Sequence, residues 1–469
     1  MTITLQDFLQ IDLPALAAGV LACVACGLVG NFLVLRRQSL MGDAISHVVL
    51  PGIVGGFLVI SWLQTKGWLG GDGAMMDPRH SGGMLIGAVV AAVVAAALID
   101  LVQRLGRVEP GAAMGVVFSV MFAMGVILLE KAAADSVDLD ADCVLYGQLE
   151  DIQWWEFAGF GSLFDGAALA TFPREIVTLA IVALVIAALV VVFFKELKIT
   201  SFDPGLASAM GIPAGVFHFG LMLLVAVAAV ASFEAVGSIL VIAMLICPAA
   251  TARMLTDRLR TQLWLSVVIA VATAVIGYFA GAWGPMWLSG LGVIGWSDSL
   301  SVSGMMAVTA GALLTLAIVA SPSHGVVARW ARRVRLASRV AHEDLLGMLY
   351  RVEEAGREGL ARRDAIGGVR EASDSTLAAR GALRAAARAG EVRESDGRIS
   401  LTEAGRERAR GLVRSHRLWE AYLVRVLGLR PDHVHSTAMH LEHVTDERMR
   451  ERLARSAADG TDPHGKPIP

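Results

Sequence analysis

Charge is scarce in this chain of 469 residues: 18% are Asp, Glu, Lys or Arg, against 55% hydrophobic. The shortage is local. Residues 1–324 hold 13 of the 40 Lys and Arg and 22 of the 43 acids, a net of −9. Residues 325–469 hold the other 27 bases and 21 acids, a net of +6, and seven of the 11 His. So little charge over so long a stretch excludes a soluble domain, so the first region reads as a polytopic membrane domain and the rest as a polar C-terminal domain. Cysteine is also rare, with only Cys23, Cys26, Cys143 and Cys247. Cys23 and Cys26 have C-x-x-C spacing, but inside a Leu/Val/Ala run they read as buried thiols rather than a redox or metal pair. No G-x-x-x-x-G-K followed by Ser or Thr occurs, which excludes ATP binding by a P-loop. The chain by itself is therefore not expected to be an enzyme. No basic segment or small-residue cleavage site precedes the first apolar run, which reads as a retained membrane helix rather than a signal peptide.

Runs of roughly 20 apolar residues span a bilayer. Nine candidates lie near 14–35, 44–63, 83–103, 111–130, 175–194, 215–233, 236–255, 262–284 and 302–320. The sixth and seventh almost merge at Glu234 and Gly237, so eight or ten spans also fit. Orientation follows from bases in the short loops. With the N-terminus outside, cytoplasmic loops carry Arg36, Arg37, Arg104, Arg107, Lys195, Lys198, Arg253, Arg258 and Arg260. External loops carry Lys66, Arg79, Lys131 and Arg174. Nine spans then leave the C-terminal domain in the cytoplasm. The expected fold is all-α, with about eight or nine transmembrane helices plus a small cytoplasmic winged-helix and helical domain. The external loop 131–174 is acidic, which would concentrate cations at its mouth.

The run Leu35-Arg36-Arg37-Gln38-Ser39-Leu40-Met41-Gly42-Asp43-Ala44-Ile45-Ser46-His47 sits where one apolar helix ends and the next begins. Asp43 and His47 are four apart and share a helix face. Ionisable residues inside a bilayer are costly and mark ion pathways. Asp with His also suits a divalent first-row metal. Between the fifth and sixth spans, Phe202 to Pro213 reads as a short helix bounded by Pro and Gly. Such a helix at the cytoplasmic face is a natural docking element for a soluble motor.

The run from Leu35 through Pro51-Gly52, the loop 203–213 and the stretch Gly237 to Ala252 together resemble the permeases of manganese, zinc and iron ABC importers (the ABC-3 type). The Arg-Arg-Gln-Ser form is closer to the manganese/iron branch. The resemblance covers most of residues 10–320 and implies a permease in the bacterial inner membrane. It implies as partners a separate ATPase subunit that alone binds ATP, an external metal-binding protein, and a second permease subunit, identical or different. Membrane lipid surrounds it, and nucleic acid is not an expected partner. The loop 203–213 resembles the family's coupling helix. Asp43 and His47 match positions lining a metal path, and His218 is a candidate for a third ligand there. Met222 and Glu234 are candidates for a fourth. The metal, Mn²⁺ or Fe²⁺ with Zn²⁺ as a further option, is the substrate.

In the tail, His416 and Glu420 share one helix face, and His435, Met439, Glu442 and His443 share another. Mixed N and O ligands suit Mn, Fe, Co or Ni. The runs 414–420 and 434–444 and the ending Asp462-Pro463-His464-Gly465-Lys466-Pro467-Ile468-Pro469 resemble iron- and manganese-dependent repressors of the diphtheria toxin repressor type. His416, Glu420 and His435 match one family metal site. Glu442 and His443 match part of the other, with Met439 where Cys or an acid often stands. Residues 343–354 match the first helix of a winged helix more weakly, while the expected recognition helix, Ser375 to Gly390, is rich in Ala and Gly. The expected order is thus a permease domain at 1–324, a linker at 325–341, a degenerate winged-helix-like region at 342–410 and metal-binding and dimerisation helices at 411–469. The function expected is an importer permease with a metal-sensing tail. The alternative is a membrane-anchored, metal-responsive transcriptional regulator. A proton-driven metal transporter fits less well, because charged relays within the spans are missing.

Overall fold

A backbone surrounded by lipid must close its hydrogen bonds within the segment, and a helix does so. The computed structural model of the protein is accordingly built of helices. It describes residues 5–66, 83–134, 147, 149–157, 161–162, 165–286, 300–373, 375–456 and 460–469; of residues 5, 39–47, 49–50, 64–65, 83–85, 104, 110, 129, 131–134, 166–167, 234, 238–239 and 372–373 only the helical backbone is described. The chain divides into two units, 1–326 and 327–469.

The first unit comprises α1 (Leu13–Leu35), α2 (Ser39–Thr65), α3 (Gly83–Gly106), α4 (Pro110–Ala134), α5 (Arg174–Val192), α6 (Phe194–Phe202), α7 (Pro204–Ala209), α8 (Ala214–Leu255), α9 (Leu259–Ala282) and α10 (Val302–Ala320). Among the described residues, seven stretches are long and apolar enough to cross a membrane: Phe8–Leu35, Ile86–Gln103, Gly111–Leu128, Arg174–Val192, Ala214–Phe233, Leu259–Ala282 and Val302–Ala320. They correspond to seven of the nine expected spans. The other two correspond to shorter apolar helices, Pro51–Leu63 within α2 and Leu240–Leu255 within α8.

α8 packs along α1, α9 and α10 pack on each other and on α8, and α2 packs against α3 and α4. Phe32, Leu33, Leu240, Met244, Leu245 and Met306 are fully buried where these helices meet. A polar network joins two of these helices. Asn31 Nδ2 donates to Ser266 Oγ at 2.6 Å and to the Gly27 carbonyl at 2.7 Å, and Gln262 Nε2 donates to Asn31 Oδ1 at 3.0 Å. An unpaired buried amide would cost roughly 2–7 kcal/mol on transfer to an apolar medium, so the pairing clamps α1 to α9. Cys23 and Cys26 are free and buried, as their apolar surroundings predict, whereas Cys143 lies outside the described residues.

The join of the sixth and seventh spans is a break inside α8. Gly237 has φ 74° and ψ 166°, outside helical values. A side chain there would be strained, and glycine is not. Gly147 packs so close that a methyl group on it would collide with the Gly237 amide. Of the acidic mouth, Asp135, Asp138, Asp140 and Asp142 lie outside the described residues. Glu150 instead plays a structural part, because its Oε1 accepts from the Val302 amide at 2.8 Å, at the start of α10.

The second unit starts within α11 (Val326–Glu354) and continues with β1 (Leu360–Ala361), α12 (Arg362–Ser373), α13 (Thr376–Arg388), β2 (Val392–Ser395), β3 (Arg398–Leu401), α14 (Glu403–Arg425), α15 (His435–Glu442) and α16 (Glu447–Ser456). The strands form one small antiparallel sheet in the order β1-β3-β2, with Leu360 opposite Ile399 and Val392 opposite Leu401. Asp396 and Gly397 both take positive φ, 53° and 71°, which suits a tight two-residue hairpin. Leu345, Leu346 and Leu349 of α11 bury against Val369, Leu383 and Ile399. Thr402 caps α14, its Oγ1 accepting from the Gly405 amide at 3.2 Å.

Candidate metal sites

In the membrane unit, Asp43 and His47 lie on the helical backbone of α2, but their side chains are outside the described residues, as is that of Glu234. His218 stands in the first turns of α8 and is half-buried. Its Nδ1 accepts from Arg36 Nη1 at 3.1 Å. Met222, one turn further along α8, is buried. Arg36 follows the last residue of α1 and reaches further, donating from Nε to Ser201 Oγ at 3.1 Å and from Nη2 to Thr200 Oγ1 at 3.2 Å. Both hydroxyls belong to the last turn of α6. Directly after it comes α7, the short helix expected in the loop 203–213. Asp203 caps it, Oδ1 accepting from the Leu206 amide at 2.9 Å, and Gly211 closes it with φ 79°. Leu206 and Met210 are exposed there. One arginine therefore ties His218 to the segment preceding α7. Nothing in the spacing of these residues reveals that tie, since Arg36 and His218 are 182 positions apart.

In the tail, α14 presents His416 and Glu420 one turn apart, and α15 begins with His435 facing them. Glu420 Oε1 lies 3.1 Å from His416 Nε2 and 2.9 Å from His435 Nδ1, and the two imidazole nitrogens are 3.1 Å apart. His416 and Glu420 are buried, while His435 is exposed at the rim. Ligands on bonds of about 2.1 Å at right angles would be roughly 3.0 Å apart, so the three donor atoms are spaced as neighbours around one small cation. The donor set, two imidazoles and a carboxylate, suits a first-row divalent metal. Burial works against the Glu420 carboxylate, but hydrogen bonds from His416 and His435 outweigh it and hold its pKa down at about 2. Burial likewise opposes charge on His416, and its bonds to Glu420 and Glu442 raise its pKa nonetheless.

A second cluster adjoins the first. Glu442 Oε2 is 2.6 Å from His416 Nδ1, and its Oε1 is 3.9 Å from His443 Nε2. His443 is also held by two carboxylates of α11: Nδ1 is 2.8 Å from Glu343 Oε2 and Nε2 is 3.2 Å from Asp344 Oδ1. Burial disfavours charge on His443, but these carboxylates prevail and push its pKa up to about 9. Asp344, Glu442 and His443 converge closely enough to share one cation. Met439 is half-buried on α15, one turn before His443. The participation of Asp344 is not legible from spacing, because it sits about a hundred residues upstream on another helix. The C-terminal segment folds back over this region. Asp462 Oδ1 accepts from the amides of His464 and Lys466 at 2.9 and 2.7 Å, and the buried Arg417 donates to the Pro467 carbonyl at 2.7 Å.

Residues 8–161 and 160–286 match the ABC 3 transport family, and residues 402–469 match the iron dependent repressor, metal binding and dimerisation domain. The manganese transport system membrane protein MntD of Bacillus subtilis (strain 168) is 39% identical over 321 residues, covering 68% of this chain and 96% of that protein. The zinc transport system membrane protein TroD of Treponema pallidum (strain Nichols) is 35% identical over 311 residues, covering 66% of this chain and 74% of that protein. Among solved structures, PsaBC from Streptococcus pneumoniae in complex with Fab is 28% identical with a TM-score of 0.50, covering 66% of this chain and 92% of that chain.

Proposed function

The chain belongs to the ABC 3 transport family, and from that premise we propose that it is the membrane permease of an importer for a divalent transition metal, Mn²⁺ foremost, with a tail that senses the metal. The observation that carries the reading is the likeness, across nearly the whole of a manganese-transport membrane protein, of the unit that precedes a metal-binding domain in the same chain. The permease itself performs no hydrolysis. A separate ATPase subunit binds ATP and docks at α7, an external binding protein delivers the metal, and a second permease subunit completes the pathway. Asp43 and His47 line that pathway as substrate ligands, with His218 near its mouth. The permease resides in the inner membrane and the tail in the cytoplasm.

In the tail, His416, Glu420 and His435 hold one metal ion, and Asp344, Glu442 and His443 hold a second. The residues fit: each set joins imidazole to carboxylate, the donor atoms converge, and Glu442 and His416 touch across the two sets. A metal bound there supplies positive charge that replaces the protons now shared among these groups. Binding would thereby link α14, α15 and α11, the three helices that carry the ligands.

The test is uptake. Full-length protein in liposomes with its ATPase and binding protein is expected to accumulate Mn²⁺. The double variant Asp43→Ala, His47→Ala should lose at least roughly tenfold in uptake. Undiminished uptake by that variant would remove the pathway assignment.

A further inference from the structure

The first half of α11 has a use that neither the transport path nor the metal sites account for. Val326, Val327, Trp330 and Val334 recur at helical spacing and lie on one side of the helix. All four are exposed, Trp330 at 65%. Arg329 and Arg333 flank that side, Arg332, Arg335 and Arg339 lie opposite it with the exposed Leu336 between the two sets, and no Asp or Glu occurs from 299 to 342. The second half of the same helix is different: Ala341, Leu345, Leu346 and Leu349 are buried in the core of the second unit. One helix is thus anchored at its end and bare at its start.

We propose that residues 326–339 lie on the anionic phospholipid surface of the membrane that the first unit spans. Two observations select lipid as the occupant. The apolar side flanked by arginines has the pattern that buries in the headgroup region while its cations meet phosphates. The segment is also held at that surface by connectivity, since only residues 321–325 separate it from the end of the last membrane-length helix at Ala320. Anionic headgroups complement Arg329, Arg332, Arg333 and Arg335, a run without an acid, whereas Arg339 is engaged by Glu343 at 2.9 Å; Trp is a residue favoured at the membrane interface. The inference is independent of the metal sites and of which metal is carried.

The test uses the full-length chain in nanodiscs of phosphatidylcholine, with or without phosphatidylglycerol, followed by amide hydrogen exchange of peptides within 326–339. Phosphatidylglycerol is expected to slow exchange there about tenfold. High salt or the variant Arg329→Glu, Arg333→Glu should abolish that slowing, and Trp330→Ser, Val334→Ser should weaken it, while exchange across 341–349 stays slow in every case. The unchanged protection of 341–349 shows that the variants remain folded. Exchange that is equal in both lipid compositions overturns the proposal, as does protection that survives the charge reversal, which would point to a protein neighbour instead.

Discussion

Arg36 gathers three polar contacts at one residue. Its guanidinium engages His218 Nδ1 and the hydroxyls of Ser201 and Thr200 together. A hydrogen bond accepted at Nδ1 occupies the lone pair that a metal would need there, so Arg36 both orients His218 and competes for it. Replacing Arg36 with Ala should cut uptake roughly tenfold, with Lys, a single-point cation, recovering only part of it. Uptake by Arg36→Ala equal to wild type in the liposome assay would contradict this. In the tail, His443 carries a pH signature. Its folded pKa of about 9 lies above the ordinary value of about 6.5. Its contribution to stability is complete below about pH 6.5 and is lost as pH rises through about 9. In metal-free protein the unfolding temperature of the tail should therefore fall between pH 6 and pH 10, and His443→Gln should flatten that fall. Parallel curves for the two proteins would refute it. The sequence exposes His416, Glu420, His435, Glu442 and His443, because helical spacing places them in two groups. It does not expose Asp344 or Arg36, because their partners come from other helices, and pairing across the fold leaves no periodic trace.

The helices show the same division between local and distant causes. The α7 turn is legible because Asp203-Pro204 starts it and Gly211 stops it within a few residues. The hairpin β2–β3 is legible only at its Asp396-Gly397 turn. Its strands are four residues each, and β2 buries Val392 alone, so no alternation announces them. The segment 325–341 reads as a linker, and from Val326 it is instead part of the continuous helix α11. Glu234 to Gly237 reads as an ambiguous join, and the cause is a single residue with positive φ. That residue makes a sharp prediction at this scale. Gly237→Ala forces an unfavourable backbone conformation costing on the order of 1–3 kcal/mol and should sharply reduce uptake and lower the unfolding temperature of the membrane unit. Full activity and unchanged melting in this variant would mean that the break in α8 is dispensable.

At the scale of the molecule, the imbalance of charge along the chain marks two units, and the structure divides it near the place where composition changes, at residue 326. A pathway that moves metal and a domain whose donor atoms converge for metal occupy one chain. A domain of this kind joined to the permease can respond to the concentration that the permease creates. Metal bound by His416, Glu420 and His435 would draw α14 and α15 together and restrain transport when the interior is replete. The direct measurement is the initial rate of Mn²⁺ uptake into liposomes holding the full-length chain and its ATPase, with the external binding protein added, as Mn²⁺ on the tail side is raised. The wild-type rate should fall as that concentration rises, and the His416→Ala, Glu420→Gln variant should keep its initial rate throughout. Equal inhibition of the two proteins would contradict a sensing role for the tail.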